Sequence, residues 1–191
     1  MGNFFVDNKP TWVKREKDDF CKRENYRKII DFYLLNTPVT SLSSRSVSLC
    51  ERGWVTPWRK PFYLNRQLKQ SSSNYKLLFS AATYNAVEEA LTKADLKDDF
   101  PSNIEYERVC IYDNQKNQFM SLFYHLRNSL AHGRFNIELL DEDNYSYIFE
   151  DVAGKGNRVK VSARMIIRED TLLKWIKIIT DGETNYIKQD E

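Results

Sequence analysis

The feature that most constrains this chain is a change of hydrophobic period around Gly133. Upstream, Phe119, Leu122, Phe123, Leu126 and Leu130 recur at helical spacing. Downstream, Phe135, Ile137 and Leu139 alternate with polar neighbours, as do Tyr145, Tyr147 and Phe149, and then Val159 and Val161. A long helix over about residues 114–132 is therefore expected to run straight into strands, with Gly133 as the residue just beyond the helix end. Residues 141–144 and Gly154-Lys155-Gly156-Asn157 carry turn chemistry, so the strands read as a three-stranded antiparallel meander. The second of these segments lacks the spacing and the strand-to-helix context of a phosphate loop and reads as a hairpin turn.

Elsewhere the pattern is helical. From Trp12 the chain is crowded with Lys14, Arg15, Lys17, Lys22, Arg23, Arg27 and Lys28. Phe20, Ile29, Ile30, Tyr33 and Leu34 line up as an apolar stripe that Asn36-Thr37-Pro38 stops. Ser71 to Asn74 offer caps for a helix carrying Leu77, Leu78, Ala81, Val87, Ala90, Leu91 and Ala94. Asp170 is placed to cap a last helix with Leu172, Trp175, Ile176 and Ile179 that ends near Gly182. The expected fold class is mainly α: a helical bundle with a small three-stranded antiparallel β insertion before its final helix. A single domain covers residues 1–191. Residues 1–70 form an unassigned N-terminal extension, 71–133 the core helices, 134–167 the meander and 168–182 the final helix.

With 41% hydrophobic residues in 191, the chain is large enough to bury a core without a disulfide framework or a structural metal. The three cysteines, Cys21, Cys50 and Cys110, are far apart and never form a C-x-x-C pair, which implies reduced, inert thiols. No apolar run reaches the ~18 residues of a membrane span, and no basic region precedes an apolar run at the start. Val6 stands where a myristoylation start needs Ser or Thr. A cytoplasmic address without membrane attachment is the expectation. The net charge of +2 makes any nucleic-acid partner a matter of local patches. The basic N-terminal cluster is mixed with Glu16, Asp18, Asp19 and Glu24, which points to a self-neutralising face rather than an RNA track.

The helix before Gly133 carries the chemistry. Opposite its core stripe, Asn117, Ser121, His125, Asn128 and His132 gather on one side, so both histidines of the protein share a polar stripe. Asn128 lies one turn before His132, within reach of its imidazole. Arg127 sits about 140° from His132, beside Met120, Tyr124 and Ala131, so the two meet only if a second copy packs along that flank. RNA carries its own nucleophile, the 2′-hydroxyl. A histidine suits the proton transfers near neutrality, and a helix C-terminus favours its charged form. A guanidinium holds phosphate in a bidentate fork and offsets transition-state charge. Such chemistry needs no metal, and the sequence offers no obvious ligand set for one.

The run Phe123-Tyr124-His125-Leu126-Arg127-Asn128-Ser129-Leu130-Ala131-His132-Gly133-Arg134-Phe135 resembles the signature of the HEPN superfamily, an arginine followed by a polar residue and, after a short spacer, a histidine near a helix end. The stretches around Ser162-Ala163-Arg164-Met165 and Leu172-Leu173-Lys174-Trp175 are similar to a plasmid-borne bacterial subgroup, so the resemblance extends from about residue 77 to 179. It implies a small α-helical bundle, a homodimer with a composite cleft, and metal-independent endoribonuclease activity. It further implies toxin or anti-phage roles, with a cognate antitoxin or nucleotidyltransferase as a partner. Arg127, Asn128 and His132 match the motif and are the expected catalytic residues. His125 and Arg134 are the expected substrate-binding residues. The bland readings are a satisfied helix-terminal histidine for His132, an ordinary salt-bridged arginine for Arg127, strand pairing for Arg134 and plain helix surface for Glu88-Glu89. The rival functional class is a non-catalytic HEPN module that binds RNA or a nucleotide, or that dimerises.

Overall fold

The computed structural model describes residues 5–7, 12, 20–55, 63–72, 78–97, 100–101, 103–115, 117–156 and 158–187. Its backbone is organised by one mixed β-sheet that draws strands from both ends of the chain. The strands are β1 (Phe5–Asp7), β2 (Leu78–Ala81), β3 (Arg108–Tyr112), β4 (Phe135–Asp141), β5 (Asn144–Ala153) and β6 (Arg158–Arg168). Their order is β2-β3-β6-β5-β4, with β1 pairing antiparallel to the start of β6. The helices are α1 (Glu24–Ile29), continued by a π-helical stretch Ile30–Leu35, then α2 (Tyr63–Ser71), α3 (Tyr84–Lys93), α4 (Gln118–Ala131), α5 (Glu169–Asp181) and α6 (Thr184–Ile187).

This architecture corrects the expected bundle with a β insertion. The meander β4-β5-β6 is present, but it is the middle and one edge of a larger α/β sheet. Leu77 lies outside the described residues; Leu78 and Ala81, expected within the same helix, instead belong to β2, and the helix starts only after Thr83, whose side chain accepts from the Ala86 N–H at 3.2 Å. A short apolar run before a cap has no length over which helical and extended periods diverge, so β2 was hidden inside the helical pattern. Strand β3 is a near-continuous apolar run, Val109-Cys110-Ile111, because helices cover both of its faces. β2 and β3 are parallel, and α3 supplies the crossover that a parallel pair requires.

Alternation along the strands sorts the interior into two cores. Val109, Ile111, Tyr147, Phe149, Ala163, Met165 and Ile167 face the layer that contains Ile29, Phe32, Tyr33, α4 and α5. Cys110, Ile148 and Ile166 face α3 and the buried Trp12. Part of the stretch expected to be an N-terminal extension is thus core: Ile29, Tyr33, Trp54, Leu64 and Leu68 are at most 1% exposed. The Trp54 indole donates to the Ile179 carbonyl at 3.0 Å and the Trp175 indole to the Leu68 carbonyl at 2.8 Å, which fastens Trp54 and α2 onto α5. No described helix is long and apolar enough to cross a membrane.

Candidate functional site

Helix α4 forms where the sequence places it. Asn117 caps it, its side chain accepting from the Phe119 and Met120 N–H groups, and Gly133 follows its end with φ +63°. Phe119, Leu122, Phe123, Leu126 and Leu130 are all buried in the larger core. The opposite stripe does not share one environment. Ser121 and His125 are sealed, Asn117 and Asn128 are half-buried, and His132 is open.

Ser121 is fully buried. Its hydroxyl donates to Asp113 at 2.7 Å and accepts from the Asn114 and Gln115 N–H groups, pinning the loop that leaves β3. His125, also 0% exposed, lies between two acceptors. Its Nε2–H donates to the Tyr112 carbonyl at 2.7 Å, and its Nδ1 meets Asp151 at 2.6 Å. Asp151 also accepts from the Ser162 hydroxyl at 3.0 Å. With a carbonyl on one ring nitrogen and a carboxylate on the other, both ring nitrogens are engaged inside the chain. Ser162 is the extra residue of a bulge, because Asp151 pairs with Ala163 and Val152 with Val161.

Arg134 is likewise internal. Its Nη1 donates to Glu150 at 2.6 Å, and the other Glu150 oxygen accepts from Arg164 Nε and Nη2 at 3.1 and 3.0 Å. All three side chains are at most 4% exposed. Arg164 in turn donates to the Leu96 and Lys97 carbonyls and lies 4.6 Å from the Trp12 ring centroid. One carboxylate between two guanidiniums is a fully bonded internal ion cluster. His125 and Arg134, the two residues expected to touch substrate, thus have their polar atoms directed at partners inside the chain.

At the end of α4 the picture reverses. His132 is exposed, in the C-cap position with φ −97° and ψ 5°, and its ring has no hydrogen-bond partner among the described residues. Asn128 is half-buried, and its Oδ1 accepts from Arg127 Nη1 at 3.3 Å rather than engaging His132. Arg127 donates through Nη2 to the Leu42 carbonyl at 2.9 Å, while its buried Nε has no partner among the described residues. The guanidinium is thus held by the loop that follows the π-helical stretch. Met120 and Tyr124, on the same flank, pack against the larger core. Within one chain Arg127 and Asn128 are brought together and His132 is not. No group of three or more His, Cys, Asp or Glu able to hold a metal occurs among the described residues.

Sequence reasoning missed a third cluster. Tyr84, the first residue of α3, stacks on Tyr112, the last of β3, with centroids 4.5 Å apart and planes at 25°. Lys160 Nζ lies 5.1 Å from the Tyr84 centroid. Burial, then Tyr112, Asp151 and Tyr124, push the Tyr84 hydroxyl above its ordinary pKa. These residues are dispersed in sequence, and only the two carboxyl-terminal strand ends bring them together. In comparisons with known proteins, no family model, curated protein or solved structure matches this chain.

Proposed function

We propose that this chain is a metal-independent endoribonuclease acting through Arg127, Asn128 and His132. The support is the contrast between its histidines. His125 has both ring nitrogens bonded internally, whereas His132 is exposed without a described partner, one turn beyond an Arg-Asn pair. In this reading His132 removes the 2′-hydroxyl proton or protonates the leaving 5′-oxygen, giving 2′,3′-cyclic phosphate and 5′-hydroxyl ends. Arg127 neutralises the phosphate, exchanging the Leu42 carbonyl for phosphate oxygens, and Asn128 orients the guanidinium. Because Arg127 and His132 point to different sides of α4, the active form is a homodimer in which each copy supplies one of the two. It works on cytoplasmic RNA as a toxin or anti-phage effector, restrained by a cognate antitoxin or nucleotidyltransferase. The test is RNA cleavage by the purified protein in the presence of a chelator. The expected outcome is cleavage that His132→Ala and Arg127→Ala each abolish and that their mixture restores. Activity in the His132→Ala protein, or activity only with added metal, overturns the assignment.

A second reading is favoured by one observation, the bond from Arg127 to the Leu42 carbonyl. A guanidinium already held by the chain's own backbone suits a non-catalytic module that binds RNA or a nucleotide, or that serves to dimerise. Expression decides between them: a nuclease arrests growth and Arg127→Ala relieves the arrest, whereas a binding module is silent in both forms.

A further inference from the structure

The crossover topology creates a second place where chemistry is concentrated. From β2 the chain leaves into α3, which packs on the face of Cys110, Ile148 and Ile166. From the neighbouring parallel strand β3 it leaves into α4, which packs on the opposite face with Val109 and Ile111. Two adjacent parallel strands whose connections depart to opposite faces open a crevice at their carboxyl ends, where open α/β sheets take up ligands. Among the described residues, the ladder along β6 has a gap at the same end. Along one edge of β6, β3 pairs as far as Ile111 with Ala163, and β1 begins with Phe5 at Lys160. Val161 and Ser162 between them have no ladder partner on that edge among the described residues.

The side chains delivered there form a coherent set. Tyr84 and Tyr112 make a stacked aromatic pair, and Lys160 stands over the Tyr84 ring. Tyr84, Tyr112, Tyr124 and Lys160 are all only partly buried. Beneath them the mount is rigid. His125 grips the Tyr112 carbonyl, Asp151 grips His125, and Ser121 grips Asp113 just beyond Tyr112. A fixed second layer that holds a partly open aromatic and cationic layer is how a binding site is preorganised. Aromatic rings take flat ligands by stacking, and an ammonium beside them selects a negative group.

We propose that this end of the sheet binds a small aromatic anion, its ring against the Tyr84–Tyr112 pair and its charge on Lys160. The site lies on other residues than Arg127, Asn128 and His132 and does not depend on their role. A nucleobase with its phosphate and a benzenoid carboxylate share the required chemistry, and the experiment separates them. Titration calorimetry on the full chain uses four probes: adenosine 5′-monophosphate, 4-hydroxybenzoate, adenosine and inorganic phosphate. The expected result is saturable binding of at least one of the first two, with adenosine and phosphate, which each lack half of the recognition, weaker by about tenfold or more. Whichever ring binds more tightly identifies the source. Tyr84→Ala and Lys160→Met each weaken the tighter probe by about tenfold, and Tyr84→Phe keeps the stack and retains most of the binding. If Tyr84→Ala does not fold, Lys160→Met and Tyr84→Phe carry the test. No saturable binding of either aromatic anion, or binding that Lys160→Met leaves unchanged, overturns the proposal. The measurement involves no cleavage, so its failure and the failure of the ribonuclease reading are separately visible.

Discussion

The two histidines and two of the arginines near α4 make a paired comparison. His125 and Arg134 lie inside, each bonded to a carboxylate that is itself bonded again. His132 and Arg127 lie at the helix end, one exposed and the other held by a single backbone carbonyl and a neighbouring amide. The residue types are the same and so is the helix, or its immediate continuation. What differs is what the tertiary structure lays against each one. β5 and the end of β3 cover the middle of α4, and the described residues leave the His132 ring without a partner. A polar stripe on a helix marks where polar atoms are, and neighbouring elements decide which become structure and which stay available for chemistry.

Four changes break or sharpen that contrast. The largest effect belongs to the sealed arginines. Glu150→Ala leaves the Arg134 and Arg164 charges buried without their shared carboxylate, and urea unfolding is expected to show a loss of about 3–5 kcal/mol. A loss under about 1 kcal/mol shows that water reaches this cluster and that the inside–outside distinction fails for the arginines.

Alkaline pH probes the same interior through sulfur. Burial pushes the Cys110 thiol up from 9.0 to about 12, so below pH 9 folded and unfolded chains both carry the proton. Between pH 9 and about 12 the unfolded chain releases it and the folded chain does not, so stability falls as pH rises, by about 4 kcal/mol if nothing compensates. The buried Tyr33 and Tyr147 hydroxyls, also raised by burial, add to the fall in the same direction. Denaturation midpoints across that window measure it. In the folded protein an alkylating reagent should modify the exposed Cys21 and Cys50 and spare Cys110.

His125→Ala removes one of the two side-chain partners described for Asp151 and the imidazole bonded to the Tyr112 carbonyl, for an expected loss of about 1–3 kcal/mol. It should also lower hydrogen-exchange protection at the end of β3. His132→Ala, at an exposed cap with no described side-chain bond, should stay within about 0.5 kcal/mol of the parent. A variant that keeps its stability and loses RNA cleavage separates chemistry from folding. If the two histidine variants cost the same, the contrast drawn here is lost.

Much of the secondary structure was legible in the amino-acid pattern. The core stripe of α4, its stop at Gly133, the alternation through β4, β5 and β6, and the closing helix α5 follow from side-chain period and helix-ending glycines, although Asp170, expected to cap α5, lies inside it and Arg168 stands at the cap position without a side-chain cap bond. These are local properties, repeated over enough residues to be unambiguous. The mainly α reading failed at β2 and β3, because strands of four or five residues are too short for helical and extended periods to diverge, and β3 is buried along most of its length. Recruitment of Trp54, Leu64 and Leu68 into the main core was illegible for a related reason, since their partners Ile179 and Trp175 lie more than a hundred residues away.

The candidate site divides in the same way. The sequence by itself placed His125 and His132 on one stripe, put Arg127 off it, and put Asn128 within a turn of His132, because helical geometry fixes those angles. Only the tertiary structure decided that Asp151 and the Tyr112 carbonyl enclose His125, that Glu150 joins Arg134 to Arg164, and that Leu42 reaches Arg127. The same holds for Tyr84, Tyr112 and Lys160, which meet at the carboxyl ends of two parallel strands. Burial and hydrogen-bond partners are set by contacts between segments far apart in the chain, and no local spacing encodes them.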